Sequence, residues 1–237
     1  MLVASVKHLW HRDLVARPDT HAWVLSLYRA GELHPQTVDD YFPLAAAEDA
    51  GLRESMRRHS ADEARHVKIY DGAIAKLGEP RTEFEGLDVF NVVIRRETDA
   101  TFRLHEEHSS DERRERLAHF LAHAHFLEKR ITRSVEYHLD ACARAGRREV
   151  ERAVSVIHDD EARHMSYTLE AVRDLLPPSA AARVIETHRR GEARANLRFS
   201  ARQVKAYLDR FGRSTKISHA VLYRTCAGIM EAARAAI

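Results

Sequence analysis

At 237 residues with a net charge of +2 and both signs interspersed, the chain is long enough for one large domain and lacks the one-sided positive charge of a nucleic-acid-binding surface. Two cysteines, Cys142 and Cys226, without any CxxC exclude a rubredoxin-like iron site or a zinc ribbon, and no apolar run approaches the roughly 18 residues of a membrane span. Charged residues at 31%, aromatics at 7% and few glycines or prolines favour an all-α protein, and the early charge at Lys7 argues against a signal peptide, so a cytoplasmic, reducing location without membrane or nucleic-acid partners is expected.

Residues 3 to 16 can form a short helix. Pro18-Asp19 reads as a break with an N-cap, and a longer helix starts near Thr20 with Trp23, Val24, Leu27 and Tyr28 on its apolar side. Gly31, Pro35 and Pro43 interrupt this pattern, so that helix is expected to be kinked or split. After Gly51 the periodicity sharpens into a helix ending at Leu77, before the Gly78-Glu79-Pro80 stop. Residues 87 to 106 predict a helix that crosses between two hairpins. Ser109-Ser110-Asp111-Glu112 predicts a capping box, opening a helix that runs to Gly146. A further helix spans about 147 to 176 and is closed by Pro177-Pro178. Ser179 can cap a fifth long helix to about Arg210, and Ser214 or Thr215 a sixth.

The five-residue word Asp-Glu-Ala-Arg-His occurs twice, at 62–66 and at 160–164. In each copy a Glu and a His three apart share one helix face, about one turn from each other. That face is the apolar one. Steps of three and four from Glu63 pass through Met56, His59, His66, Val67, Tyr70 and Ile74; from Glu161 they pass through Val154, Ile157, His164 and Val172. An ionised carboxylate in such a stripe costs several kcal/mol unless it is paired or binds a metal. Surface ion-pair helices that merely repeat would not place the words there.

The two halves repeat as long-helix hairpins. Glu32 precedes Glu63 by 31 residues and Glu128 precedes Glu161 by 33, so in an antiparallel pair each lies at the height of its partner. Asp40-Tyr41 and Glu136-Tyr137 follow eight residues beyond Glu32 and Glu128 as a further match. Glu48 competes with Glu32, but fifteen residues before Glu63 it would sit about 22 Å away along a continuous helix. Four helices then offer Glu32, Glu63 with His66, Glu128, and Glu161 with His164: four carboxylates and two imidazoles, enough for two divalent ions. Hard carboxylates favour iron, with manganese second.

This Glu, ExxH, Glu, ExxH pattern resembles the ferritin-like superfamily of di-iron carboxylate proteins, and the doubled DExRH word is similar to its oxygen-activating oxygenase and oxidase branch, over roughly residues 18 to 177. The resemblance implies a ferritin-like four-helix bundle with a crossover helix and two additional C-terminal helices. One domain would cover 1–237, with a bundle core at about 18–177 and an extension at about 178–237. It further implies that Asp160 orients His66 and Asp62 orients His164, with Arg65 and Arg163 holding the two aspartates. Two Fe ions, or a Mn/Fe pair, would be the cofactor and O2 the co-substrate. A small-molecule or carrier-tethered substrate would be hydroxylated, desaturated or N-oxygenated, with electrons from a separate reductase or ferredoxin, in a monomer or homodimer. The alternative is a ferroxidase of ferritin or rubrerythrin type, and a third reading is an interaction protein with a purely structural metal.

His59 has the spacing of an additional metal ligand found in some arylamine N-oxygenases of that superfamily, and His158 lies on the other motif face; among sixteen histidines a merely polar role is the simpler expectation for both. Tyr70 and Tyr167, one turn beyond the motif histidines, are candidate redox tyrosines, with core packing the plain alternative. Cys142 and Cys226 read as inert core thiols. The basic stretch from His188 to Arg202 reads as a solvated helix face, with docking of an acidic carrier protein as the sharper alternative.

Overall fold

A computed structural model of the protein describes residues 2–98 and 108–234, and among these it contains helices and no strand. Eight α-helices follow in chain order: α1 (Leu2–Ala16), α2 (Pro18–Leu33), α3 (Ala50–Lys76), α4 (Phe90–Thr98), α5 (Ser110–Arg144), α6 (Arg148–Leu175), α7 (Pro178–Phe211) and α8 (Ile217–Arg234). The protein is all-α, as its composition implies.

The helix signals work where a side chain or backbone geometry supplies what a helix end lacks. Ser109 accepts from the Glu112 backbone while Glu112 reaches back to the Ser109 amide at 2.8 Å, a complete capping box for α5. Asp49 caps α3 by accepting from the Leu52 amide at 2.7 Å. After α3 the chain turns at Gly78, whose φ of 70° lies in the left-handed region that a side chain disfavours.

Several expected boundaries differ. Helix α2 starts at Pro18 itself, because proline's fixed φ suits the first helical position and its missing N–H is one that a helix end leaves unpaired anyway. Gly31 does not break α2, which continues unbroken through Glu32 to Leu33; the irregularity begins only afterwards, at the 3-10 turns His34–Gln36 and Leu44–Ala46. Helix α4 begins at Phe90 rather than 87, and the remainder of the expected crossover helix lies outside the described residues. Ser179 caps nothing: α7 starts at Pro178, for the same reason as α2, with Pro177 before it. Helix α8 begins at Ile217, beyond Ser214 and Thr215, whose hydroxyls instead bond back to the Phe211 carbonyl. The Asp40-Tyr41 and Glu136-Tyr137 match does not extend to structure. Asp40 has a φ of 51° in an irregular segment, whereas Tyr137 lies within α5.

Helices α2 and α3 pack together, as do α5 and α6, and α3 also packs on α6. This puts the two repeated words opposite each other. Two apolar clusters bracket that contact. One holds Met56, Leu117, Phe120, Leu121 and Val172; the other holds Leu25, Tyr70, Ile74, Val135, Val154 and Ile157. Helices α1, α2, α7 and α8 build a separate aromatic layer, in which Trp10, Trp23, Tyr207, Phe211 and Tyr223 pack edge to face. Arg194 and Arg198 pair with Glu97 of α4 at 3.3 Å and 3.4 Å, so the basic stretch is in part neutralised by a partner on α4.

Candidate metal centre

Glu32, Glu63, Glu128 and Glu161 are each at most 5% exposed, and so are His59, His66 and His164. They come from α2, α3, α5 and α6, and they meet at one depth. One group of ligand-type atoms joins Glu32, Glu63, His66 and Glu161; a second joins His59, Glu63, Glu128 and His164. Within each group the atoms lie within 4.8 Å of one another. Glu63 belongs to both.

His66 Nδ1 faces Glu32 Oε2 at 3.2 Å and Glu161 Oε1 at 3.4 Å, while its Nε2 lies 3.0 Å from Asp160. His164 repeats the arrangement, with Nδ1 at 3.0 Å from Glu161 Oε2 and Nε2 at 3.3 Å from Asp62. An aspartate at the edge of the cluster can only accept, so the Nε2 atoms hold protons and the Nδ1 atoms face the carboxylates, where they would offer lone pairs to a bound cation. The arginines bind across the pair: Arg163 donates to Asp62 at 2.8 Å and to Asp160 at 2.6 Å, and Arg65 donates to Asp62 at 2.9 Å and to Asp160. Each aspartate therefore holds a histidine of the other word.

His59 is the side chain whose importance the chain pattern left open. Its Nε2 lies 3.3 Å from Glu63 and 3.4 Å from Glu128, its Nδ1 is 2.9 Å from the Tyr167 hydroxyl, and its ring stacks on His164 with centroids 3.6 Å apart. The spacing to Glu63 had pointed to it. His158 is different: it is half-buried and faces outward to Glu136 and Asp159, at 3.8 Å and 3.6 Å. Glu48 is exposed and outside the cluster, so Glu32 is the carboxylate that α2 and its neighbouring loop deliver. Tyr70 is fully buried and its hydroxyl has no hydrogen-bond partner among the described residues, whereas Tyr167 is held by His59.

The electrostatics follow from packing like charges in a dry interior. Burial, then the Glu32 and Glu128 charges, push the Glu63 carboxyl well above the usual range. Burial together with Glu128 and Glu32 does the same to Glu161. Burial would also raise Glu128, but the hydrogen bond and charge of His59 outweigh it and hold that carboxyl low. Burial acts against the charged form of His59 too, yet Tyr167 and Glu128 push it up to about 9. His66 is likewise pushed up to about 9, against burial, by Glu32 and Asp160. Burial, reinforced by the His59 charge, drives His164 down to about 3.

Oxygen and nitrogen donors of this kind suit hard or borderline divalent cations. Two buried carboxylate oxygens, Glu128 Oε2 and Glu161 Oε1, accept no hydrogen bond from any described residue. Such orphaned acceptors, next to carboxyls that resist ionisation without a cation, are what a dimetal pair would relieve.

A cavity of ≈ 10 Å³ borders the second group, lined by Pro35, Tyr41, Phe42, Phe120 and Leu127 beside His59, Glu63 and Glu128. It has room for about one water-sized molecule. A larger groove of ≈ 170 Å³ opens between α3 and α6, with His59, His164 and Tyr167 in its wall and Ser55, Arg58, Arg163 and Ser166 around it. No residue of α7 or α8 lines either space. Compared with protein-family models, curated proteins and solved structures, the chain matches none of them.

Proposed function

We propose that this protein is an O2-dependent oxidoreductase with two iron ions held in a carboxylate-rich, ferritin-like helical bundle, acting as an oxygenase or oxidase on a small organic or acyl substrate. The observation that supports it most is the membership of Glu63 in both ligand groups, as expected of a carboxylate that two cations would share. Glu32, Glu63, His66 and Glu161 would hold one ion, and His59, Glu63, Glu128 and His164 the other. Bound iron would supply the redox chemistry with dioxygen, with electrons delivered by an external reductase or ferredoxin.

The chain's own residues supply position, charge and dryness. Asp160 and Asp62 fix the two motif imidazoles with Nδ1 toward the centre, and the Arg65/Arg163 lattice fixes the aspartates. Phe42, Phe120 and Leu127 keep bulk water from the inner cavity. The His59 Nδ1 and Tyr167 hydroxyl pair, at the wall of the larger groove, can hold a proton between the groove and the centre. That groove, with Ser55, Ser166, Arg58 and Glu54 in its lining, is the approach for a polar substrate group.

The ferroxidase reading has one observation in its favour: the inner cavity fits O2 or water but no organic molecule. Anaerobic Fe(II) loading, followed by rapid mixing with O2, tests both. The oxygenase reading expects two irons per chain, a transient in visible absorbance and O2 use that stops after those irons are oxidised unless a reductant is present. Continued uptake of many Fe(II) per chain would establish the ferroxidase instead. Absence of any O2 reaction at two bound irons would overturn both.

A further inference from the structure

Away from the carboxylate centre, α5 places His138 and Cys142 four residues apart on one face, against His21 from the first turn of α2. His21 Nε2 lies 3.1 Å from His138 Nε2 and 3.8 Å from Cys142 Sγ, and the three ligand-type atoms all fall within 4.8 Å of one another. All three residues are 0% exposed. Their surroundings are apolar, with Val15, Ala22, Leu25 and Val150 in the same cluster as Cys142.

Burial pushes His21 down to about 4 and His138 well below its ordinary value, so both rings are neutral and keep a lone pair. Two neutral imidazoles that meet nitrogen to nitrogen can share only one proton. The Nδ1 atoms of both are buried and have no hydrogen-bond partner among the described residues, which leaves the Nε2 atoms as the sides that face each other and Cys142.

We propose that His21, His138 and Cys142 form a site for one soft monovalent cation, Cu(I). The thiolate sulfur is a soft donor that favours Cu(I), and the two imidazole nitrogens are borderline donors that copper also accepts. With metal–nitrogen bonds of about 2.0 Å and a metal–sulfur bond of about 2.3 Å, a three-ligand site has donor edges of roughly 3.5–3.7 Å. The edges of 3.1 Å and 3.8 Å straddle that value. Charge selects the ion. A thiolate and Cu(I) cancel, whereas a divalent ion would leave a net positive charge in an apolar shell, which costs several kcal/mol. On binding, the Cys142 S–H bond breaks, the S–Cu bond forms, and the proton leaves to solvent with no change in oxidation state. The site is distinct from the carboxylate centre: none of its three residues belongs to either of the carboxylate-containing ligand groups.

The test uses the full chain with Cys226→Ser, which removes the other thiol. Anaerobic titration with Cu(I) against a strong colorimetric Cu(I) chelator should leave one Cu(I) per chain, and copper-edge X-ray absorption should show one sulfur and two nitrogen neighbours. Cys142→Ala and His138→Phe should each abolish the chelator-resistant copper, while Glu63→Ala, which disables the carboxylate centre, should leave it in place. Absorption showing only nitrogen and oxygen neighbours, loss of the copper in Glu63→Ala alone, or Zn(II) retained in place of Cu(I) would each overturn the assignment. The absorption spectrum needs no core variant, so a misfolded Cys142→Ala protein would not leave the question open.

Discussion

His66 on α3 donates its Nε2–H to Asp160 on α6 at 3.0 Å, across the contact between the two repeated words. The reciprocal pair, His164 with Asp62, spans 3.3 Å. Each word thus orients the imidazole of the other, and neither half of the repeat is complete alone.

Asp160→Asn should therefore weaken the centre without emptying it. An amide can turn its NH2 toward Nε2 and favour the wrong tautomer of His66, so Fe(II) affinity should fall roughly 10–100-fold. Competition with a calibrated Fe(II) chelator measures it. An equal loss in Asp140→Asn, a half-buried residue of α5 outside the cluster that pairs with Arg144 at 2.9 Å and with His8 at 3.2 Å, would show the effect to be nonspecific.

Glu63→Gln should separate stability from metal binding. In the metal-free protein it removes one of several crowded carboxyls, whose burial and neighbours already resist its ionisation. We expect a gain on the order of 1–2 kcal/mol, or roughly 2–8 °C in melting temperature, together with loss of the two-metal stoichiometry. Calorimetry of the metal-free form and metal analysis of the loaded form give the two numbers. A less stable metal-free variant would contradict the electrostatic account.

Acid should destabilise the metal-free protein well before the surface carboxylates titrate. Burial holds His11, His21, His164 and His188 down at about 3 to 4, and His123 and His138 well below the ordinary value. An unfolded chain takes up a proton on each below about 6.5, and the folded chain does not, so stability falls with pH by as much as about 1.4 kcal/mol per unit for each. Glu63 and Glu161 oppose this, because their raised values let the folded state bind protons first, but they are two against six. His59 and His66, raised to about 9, act in another window: their contribution is complete below about 6.5 and is lost as pH rises through 9. Melting temperature should fall between pH 6.5 and 4 and again toward pH 9. A flat profile on the acid side would refute it.

Gly191 on α7 packs against Glu97 and Thr98 at the end of α4. A Cβ there would collide with Thr98 Cγ2, and Thr98 is buried and β-branched, so it cannot swing aside. Gly191→Ala should cost about 1–3 kcal/mol in urea unfolding, and Thr98→Ser, which removes that methyl, should recover most of it. No recovery in the double variant would place the strain elsewhere.

Much of this was readable along the chain because helices obey a short-range rule. Three- and four-residue steps determine which side chains share a face, so the apolar position of Glu63/His66 and Glu161/His164, the capping box at Ser109 and the all-helical class follow from local order alone. Spacing also favoured Glu32 over Glu48, although Gly31 suggested a broken helix that packing keeps intact. What lies between helices has no such rule. How far one helix is rotated and slid against another depends on side chains distant in the chain, and that decided three things: the exchange of Asp–His partners between the words, the entry of His59 into a ligand group, and the meeting of His21 with His138 and Cys142 across more than a hundred residues.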